Sequence, residues 1–142
     1  MVKARLLLDS NVISELTKPH ANPAVLSRFK RYREDLCTAA PVFHELRYGV
    51  ATLDAGTKKS KITAFLDGLL AGGIAVLPYD HVAAEWHAAE RARLHKTGKP
   101  RPFVDGQIAS IAVVNEMILV TRNVRDFKHF RDLKIKDWFA ES

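Results

Sequence analysis

Short apolar runs alternate with segments of helical periodicity along the whole chain, and this alternation is what most constrains the fold. Each of the first four runs is strand-sized and is followed by at least one amphipathic stretch. The runs lie at residues 5–8, 36–38, 74–77, 117–120 and 133–136. Strands that alternate with helices indicate an α/β fold with a mainly parallel sheet, whose functional sites form beyond the carboxyl ends of the strands.

The size and composition of the chain predict one domain over residues 1–142. A chain of 142 residues that is 47% hydrophobic has enough apolar material for one core. The three leucines before Asp9 are too few for a signal peptide, and no apolar run approaches the length of a membrane helix. The single cysteine, Cys37, excludes an internal disulfide and a multi-cysteine zinc site, so we expect a cytoplasmic protein.

The chain is basic, with 22 Lys and Arg residues against 16 Asp and Glu residues and a net charge of +6. A positive surface attracts polyanions over long range, and attraction of nucleic acid is one physical reason for such a charge. A soluble basic protein without such a partner is the alternative. A cluster of lysines at 58, 59 and 61 is expected to form a connection before a helix that starts near Ile62.

Polar side chains follow two of the predicted strands. Asp9 comes directly after the first run, and Thr121, Asn123 and Asp126 follow the run 117–120. The carboxyl ends of parallel strands lie at one edge of a sheet, so these side chains are expected to be neighbours. Each of them could instead cap a helix or end a strand, since Asp, Asn and Thr are common helix caps.

Two further acids lie on predicted helices and are expected to face inward. Glu45 shares a helical face with the apolar residues of its segment, and Asp105 does the same in the helix that follows Pro102. A salt bridge from Glu45 to Arg47 or Arg5 is the alternative. Asp105 could serve only the dipole of its helix. The small Gly106 beside Asp105 lets other groups approach the backbone.

Four carboxylates gathered at one edge would have to become protonated or hold a cation. At about 5 Å and an effective dielectric constant near 20, each pair repels by roughly 3 kcal/mol, against a net domain stability of about 5–15 kcal/mol. Oxygen ligands without clustered His or Cys suit Mg²⁺ or Mn²⁺. A basic exterior around such a centre predicts metal-dependent hydrolysis of phosphodiesters.

Four segments together resemble a known family. They are LLLDSNVISEL at 6–16, VFHELRYG at 42–49, FVDGQIA at 103–109 and LVTRNVRDF at 119–127. In order and spacing they resemble the acidic motifs of PIN-domain ribonucleases, and most of all the toxin subunits of VapBC toxin–antitoxin pairs, including the FitB-like branch. This likeness spans essentially the whole chain.

The resemblance implies a Rossmann-like three-layer α/β/α sandwich and Mg²⁺- or Mn²⁺-dependent endoribonuclease activity. It also implies a homodimer that acts on RNA and is inhibited by a cognate antitoxin, and operator DNA would be bound only through that antitoxin. By position, Asp9 and Asp105 are expected to ligate the metal. Glu45 would complete the ligand set or orient the attacking water.

The fourth motif departs from the family pattern. Many relatives carry an acid where this chain has Asn123, and Asp126 is the nearby carboxylate, so either could complete the catalytic site. Supporting roles behind the ligands are expected for Asn11, Thr121 and Asn123. Three arginines border the motifs and are expected to contact phosphates: Arg101, Arg122 and Arg125.

Other interpretations are weaker. A catalytically weak or inactive subunit of the same fold, acting in regulation through a DNA-binding antitoxin, is the main alternative because Asn123 is neutral. A receiver or nucleotide-binding domain is disfavoured because no glycine-rich loop follows the first strand. His44 adjoins Glu45 but points about 100° away on a helix. Three further histidines have no ligand spacing and are expected to be solvated, namely His81, His87 and His95.

Overall fold

A computed structural model describes residues 5–140, and within them all five predicted strands are present. The strands pair in parallel in the order β3-β2-β1-β4-β5, which confirms the predicted α/β class. Their bounds are β1 Leu6–Leu8, β2 Leu36–Ala39, β3 Ala75–Leu77, β4 Ile118–Val120 and β5 Lys134–Lys136.

In the described part of the chain, seven α-helices connect or follow these strands, with a short 3₁₀ turn at Arg33–Asp35. Side chains cap three of them as the sequence favours: Asp9 accepts from the amide of Ser10, Asn22 accepts two amide hydrogen bonds before Pro23, and Asp80 accepts one from Ala83. The helices are α1 Ser10–Leu16, α2 Pro23–Arg31, α3 Ala40–Ala51, α4 Thr57–Ala71, α5 His81–Lys96, α6 Phe103–Val114 and α7 Val124–Phe127.

The start of α4 corrects one expectation. This helix begins at Thr57, so the lysines at 58, 59 and 61 lie in its first turns and not in a connection. Gly56 provides the N-cap without a side-chain hydrogen bond, and no acid occupies the first turn. The charged turns lack the apolar spacing by which a helix is detected in sequence, so the prediction began too late.

The strand order reverses at the middle of the sheet, and this reversal creates the candidate site. The chain moves outward from β1 to β2 and β3, then crosses back to β4 beside β1. Right-handed crossovers place the helices of the two halves on opposite faces of the sheet. The carboxyl ends of β1 and β4 therefore flank the switch point, where ligands bind in sheets of this kind.

The central strands form the middle of the core. The side chains of Leu7, Leu8, Leu119 and Val120 are fully buried. Trp138 is 1% exposed and stacks on Tyr32, so it packs as part of this core. Within residues 5–140, the structure contains no helix that is both long and apolar enough to span a membrane.

Candidate active site

Asp9 lies at the switch point of the sheet and is 4% exposed. Its backbone amide donates to the carbonyl of Val120 at the end of β4, which fixes it beside Thr121. Its Oδ1 accepts from the amide of Ser10 at 2.8 Å, and its Oδ2 accepts from Oγ1 of Thr121 at 2.8 Å. Asp9 is thus both the N-cap of α1 and a buried acid at the edge predicted for a site.

Asn11 joins the two strand ends. Its Nδ2 donates to Oδ2 of Asp9 at 3.3 Å and to Oγ1 of Thr121 at 3.2 Å, while its Oδ1 accepts from the amide of Arg122 at 3.0 Å. The amide of Asn123 donates to Oγ1 of Thr121 at 3.0 Å. The side chains of Asn11 and Thr121 therefore surround Asp9, whereas Asn123 contributes its backbone and leaves its exposed side chain at the rim.

Burial raises the pKa of Asp9 above its ordinary value, because desolvation disfavours the carboxylate. Hydrogen bonds from Ser10, Thr121 and Asn11 oppose this shift, and the charge of Glu45 adds to it. The protein therefore holds Asp9 in a position that costs free energy when the carboxylate is ionised. A cation at the site would reverse that cost.

Glu45 reaches the same site from α3, but not as a buried acid. The residue is exposed, and Oγ of Ser10 donates to its Oε2 at 3.2 Å. The expectation that Glu45 faces inward is therefore wrong in its burial, since Glu45 lies where α3 borders a cavity, beside the part of the helix that packs in the core. Neither alternative salt bridge is formed among the described residues, because Arg47 pairs with Asp67 at 2.7 Å and Arg5 forms no ion pair with Glu45.

Asp105 lies in the first turn of α6 and is partly buried. Burial and the neighbouring carboxylate of Asp126 raise the pKa of Asp105 to about 6, with further repulsion from Asp9 and Glu45. The guanidinium of Arg101 opposes the shift. The four acids selected from the sequence therefore interact electrostatically, although they come from four separate segments.

Two of the three predicted phosphate-contacting arginines already have partners. Nη2 of Arg101 lies 3.1 Å from Oδ1 of Asp126, so this guanidinium partly neutralises the fourth acid. The guanidinium of Arg122 lies 4.6 Å from the ring centroid of Phe139. After the hydrogen bonds from Lys18 and Asn22, its charge also helps to lower the pKa of Glu15. Arg125 is exposed in α7. The phosphate contacts of all three arginines stay predictions.

His87 corrects another expectation, because it is buried and not solvated. It is 3% exposed, and its Nδ1 lies 2.8 Å from the hydroxyl of Tyr79. A Cβ added to Gly106 would overlap its ring. The small residue beside Asp105 is therefore the point at which the imidazole reaches the backbone of α6. The Gly106 pattern indicated such an approach, but nothing in the sequence identified the approaching group.

A cavity of about 550 Å³ adjoins the site at Glu45. Ser10, Asn11, Glu45 and Asn123 line one end of it. Asp9 lies beneath this end through its hydrogen bonds to Ser10 and Asn11. The cavity gives a substrate access to one side of the acidic group.

The donor set fits a hard divalent cation, although its ligands are not fully preassembled. Within residues 5–140, no group of three or more His, Cys, Asp and Glu side chains is arranged to hold a metal ion. The candidate donors are carboxylate oxygens, and neither Asp9 nor Asp105 forms an ion pair in that part of the chain. Mg²⁺ is commonly held by one or two carboxylates while water fills the remaining positions.

Comparison with known proteins gives a consistent result. A family model described as the PIN domain matches residues 6–133. VapC ribonuclease Y4jK of Sinorhizobium fredii is 34% identical over 126 residues, covering 87% of this chain and 90% of that protein. Toxin FitB of Neisseria gonorrhoeae is 35% identical over 127 residues, covering 86% and 90%. The DNA-bound VapBC structure from Salmonella typhimurium has a TM-score of 0.83 at 27% identity, covering 95% of this chain and 98% of that one.

Proposed function

Because this chain belongs to the PIN-domain family, we propose that it is an endoribonuclease, the toxin subunit of a type II toxin–antitoxin pair. The observation that carries this proposal is the grouping of acids from four separate segments around the switch point of the sheet. The ribonuclease and toxin names of relatives at 34% and 35% identity support it.

The cofactor that suits this site is Mg²⁺ or Mn²⁺, and Asp9, Asp105 and Glu45 would hold it. A bound divalent ion polarises a phosphoryl oxygen and lowers the pKa of its water. The mutual repulsion of the acids is the physical reason why the folded chain would bind such an ion.

The side chains of the site would have separate roles in the reaction. Ser10, Asn11 and Thr121 hold the carboxylate of Asp9 in one orientation through hydrogen bonds. Glu45 is open to the cavity and, within the described part of the chain, is held only by the hydrogen bond from Ser10, so it is suited to orient or deprotonate the attacking water. Asp126 with its partner Arg101 would complete the fourth position as a nearly neutral pair.

The proposed partners follow from the same family. A cognate antitoxin would inhibit the enzyme, and operator DNA would be bound only through that antitoxin, as the DNA-bound VapBC relative suggests. The RNA substrate would approach the basic surface, since a net charge of +6 attracts polyanions. A homodimer is the oligomeric state we propose.

Cleavage of RNA by purified variants tests the proposal. Glu45→Gln keeps an acceptor for Ser10 and removes one charge, so it should fold normally and lose at least 100-fold in metal-dependent cleavage, the order attributed to a general base. Asp9→Asn should abolish cleavage, although its amide would face the donors Asn11 and Thr121, so its fold needs to be verified by circular dichroism. Asp54→Asn, an exposed acid outside the site, is the control and should cleave normally.

The alternative function makes a different prediction in the same assay. A regulatory subunit with weak or lost catalysis would bind its antitoxin partner yet show equal cleavage in wild type and Glu45→Gln. The Arg101–Asp126 pair favours this alternative, since it leaves the fourth position with little net charge. Full cleavage by the wild type with loss in Glu45→Gln would exclude it.

A further inference from the structure

A second cavity continues the one at the acids. The first, of about 550 Å³, and the second, of about 530 Å³, share Thr17 and Ile62 in their linings. Together they form one groove that starts at Glu45 and ends at the first turns of α4, here called the α1–α4 groove. The two ends therefore differ in charge, because three lysines line the far end: Lys18, Lys58 and Lys61.

The lysines at the far end are available for an anion. Lys58 and Lys61 are exposed, and neither forms an ion pair within residues 5–140. Lys18 shares its charge with Glu15 at 3.0 Å. Lys59, which lies between them in sequence, donates to the carbonyl of Leu53 and does not line the groove.

The middle of the groove is apolar and has an exposed aromatic ring in its lining. Leu46, Val50, Ile62 and Leu66 contribute the apolar surface. Tyr48 is 65% exposed and lies one turn after Glu45 on α3. Basic groups combined with apolar and aromatic surface are typical of sites that bind single-stranded nucleic acid, because bases stack on rings and phosphates meet cations.

We propose that the α1–α4 groove binds the single-stranded RNA that flanks the cleavage point, with backbone phosphates on Lys58 and Lys61 and a base on Tyr48. This inference rests on the proposed ribonuclease function and adds the form of the substrate and the side on which it lies. Charge complementarity favours a polyanion, since three lysines line the end of the groove away from Glu45, and the exposed ring of Tyr48 favours RNA over an acidic peptide because a base can stack on it.

Binding of a non-cleavable probe tests the groove separately from catalysis. The probe is a fluorescein-labelled single-stranded 2′-O-methyl RNA 12-mer, and its dissociation constant is measured by anisotropy over a range of salt concentrations in EDTA, where the proposed metal-dependent hydrolysis does not proceed. Lys58→Gln/Lys61→Gln should weaken binding by roughly 10- to 30-fold near 0.1 M salt and reduce the slope of log K against log salt by about 1.4, because each phosphate contact on a single strand contributes about 0.7.

The matched control removes two charges at the other edge of the sheet. Lys30 and Arg31 are exposed in the last turn of α2, which leads through the 3₁₀ turn to the start of β2. Lys30→Gln/Arg31→Gln should change the slope by less than half as much. Equal losses in both double variants would overturn the proposal, because the effect would then reflect net charge alone.

A chemical footprint gives a second measurement. The probe should protect Lys58 and Lys61 from acetylation, detected by mass spectrometry, while Lys30 reacts as in the free protein. Unprotected Lys58 and Lys61 would overturn the proposal and leave the groove to a polypeptide partner. If the probe binds as expected but an all-RNA strand is not cut, the ribonuclease proposal fails and the groove stands. If RNA is cut but the lysine variant binds normally, the groove fails alone.

Discussion

Asp105→Asn should stabilise the metal-free protein at neutral pH, although it removes a proposed metal ligand. The folded pKa of Asp105 is raised from 3.8 to about 6, so ionising this carboxyl costs more in the folded protein than in the unfolded chain. The difference corresponds to about 3 kcal/mol before screening. Asparagine has nearly the same shape and no charge, and it therefore avoids this penalty.

The expected gain is smaller than that limit. Asp105 is only partly buried, so water screens part of the repulsion, and the substitution also loses a favourable interaction with the α6 dipole of about 0.3–1 kcal/mol. We expect a net gain of about 1–2 kcal/mol at pH 8, measured by urea unfolding in EDTA. This corresponds to an increase in melting temperature of roughly 3–8 °C for a domain of this size.

The stability gained by Asp105→Asn should depend on pH. Because the folded pKa is raised, the destabilisation by Asp105 is absent below about pH 3.8, develops through the interval between 3.8 and about 6, and is complete above it. The gain from Asp105→Asn should therefore disappear at low pH. Asp54→Asn, at an exposed position, should change stability by less than about 0.5 kcal/mol. An Asp105→Asn variant no more stable than wild type at pH 8 in EDTA would refute the electrostatic argument.

Three further predictions concern the site and its support. Gly106→Ala should destabilise the fold and reduce cleavage, because the added methyl group overlaps the ring of His87. A second change, His87→Ala, should partly restore stability in thermal melts and activity in cleavage assays. A double variant no better than Gly106→Ala would contradict this packing. Glu90→Gln should cost about 1–3 kcal/mol, because the Glu90 carboxylate accepts from Nε of Arg93 at 2.7 Å and from the amide of Arg131. Since these bonds lower the folded pKa of Glu90, its contribution is complete above about 4.5 and is lost as the pH falls, so urea unfolding should show the difference shrinking in acid. Millimolar Mg²⁺ or Mn²⁺ should raise the melting temperature of wild type but not of Asp9→Asn, and equal shifts in calorimetry would show that the ion binds elsewhere.

The strands and the acid after the first of them could be predicted because both depend on local pattern. Buried parallel strands appear as continuous apolar runs, so the bounds of β1 and β4 differ from the prediction by one residue each. Asp9 and Thr121 follow directly on these runs. Their proximity then follows from the geometry of a parallel sheet. The 2.8 Å hydrogen bond between their side chains confirms it.

Burial and long-range pairing could not be predicted in the same way. The sequence shows that α3 is amphipathic. Whether Glu45 faces the core or a cavity depends on how α1, α3 and α4 pack together. Arg122 stacks on Phe139, a residue near the end of the chain, although its sequence position is beside the fourth motif. His87 is buried because Tyr79 offers a hydrogen bond and Gly106 leaves space for its ring. Such pairings depend on tertiary structure, which periodicity does not encode.

Binding of Mn²⁺ followed by isothermal titration calorimetry, combined with RNA cleavage in the same samples, is the most direct test of the acidic site. Wild type should bind the ion and cut RNA, Asp9→Asn and Asp105→Asn should lose both properties while remaining folded, and Asp54→Asn should retain both. RNA cleavage that persists unchanged in folded Asp9→Asn, or in EDTA, would contradict a metal-dependent site built on these carboxylates.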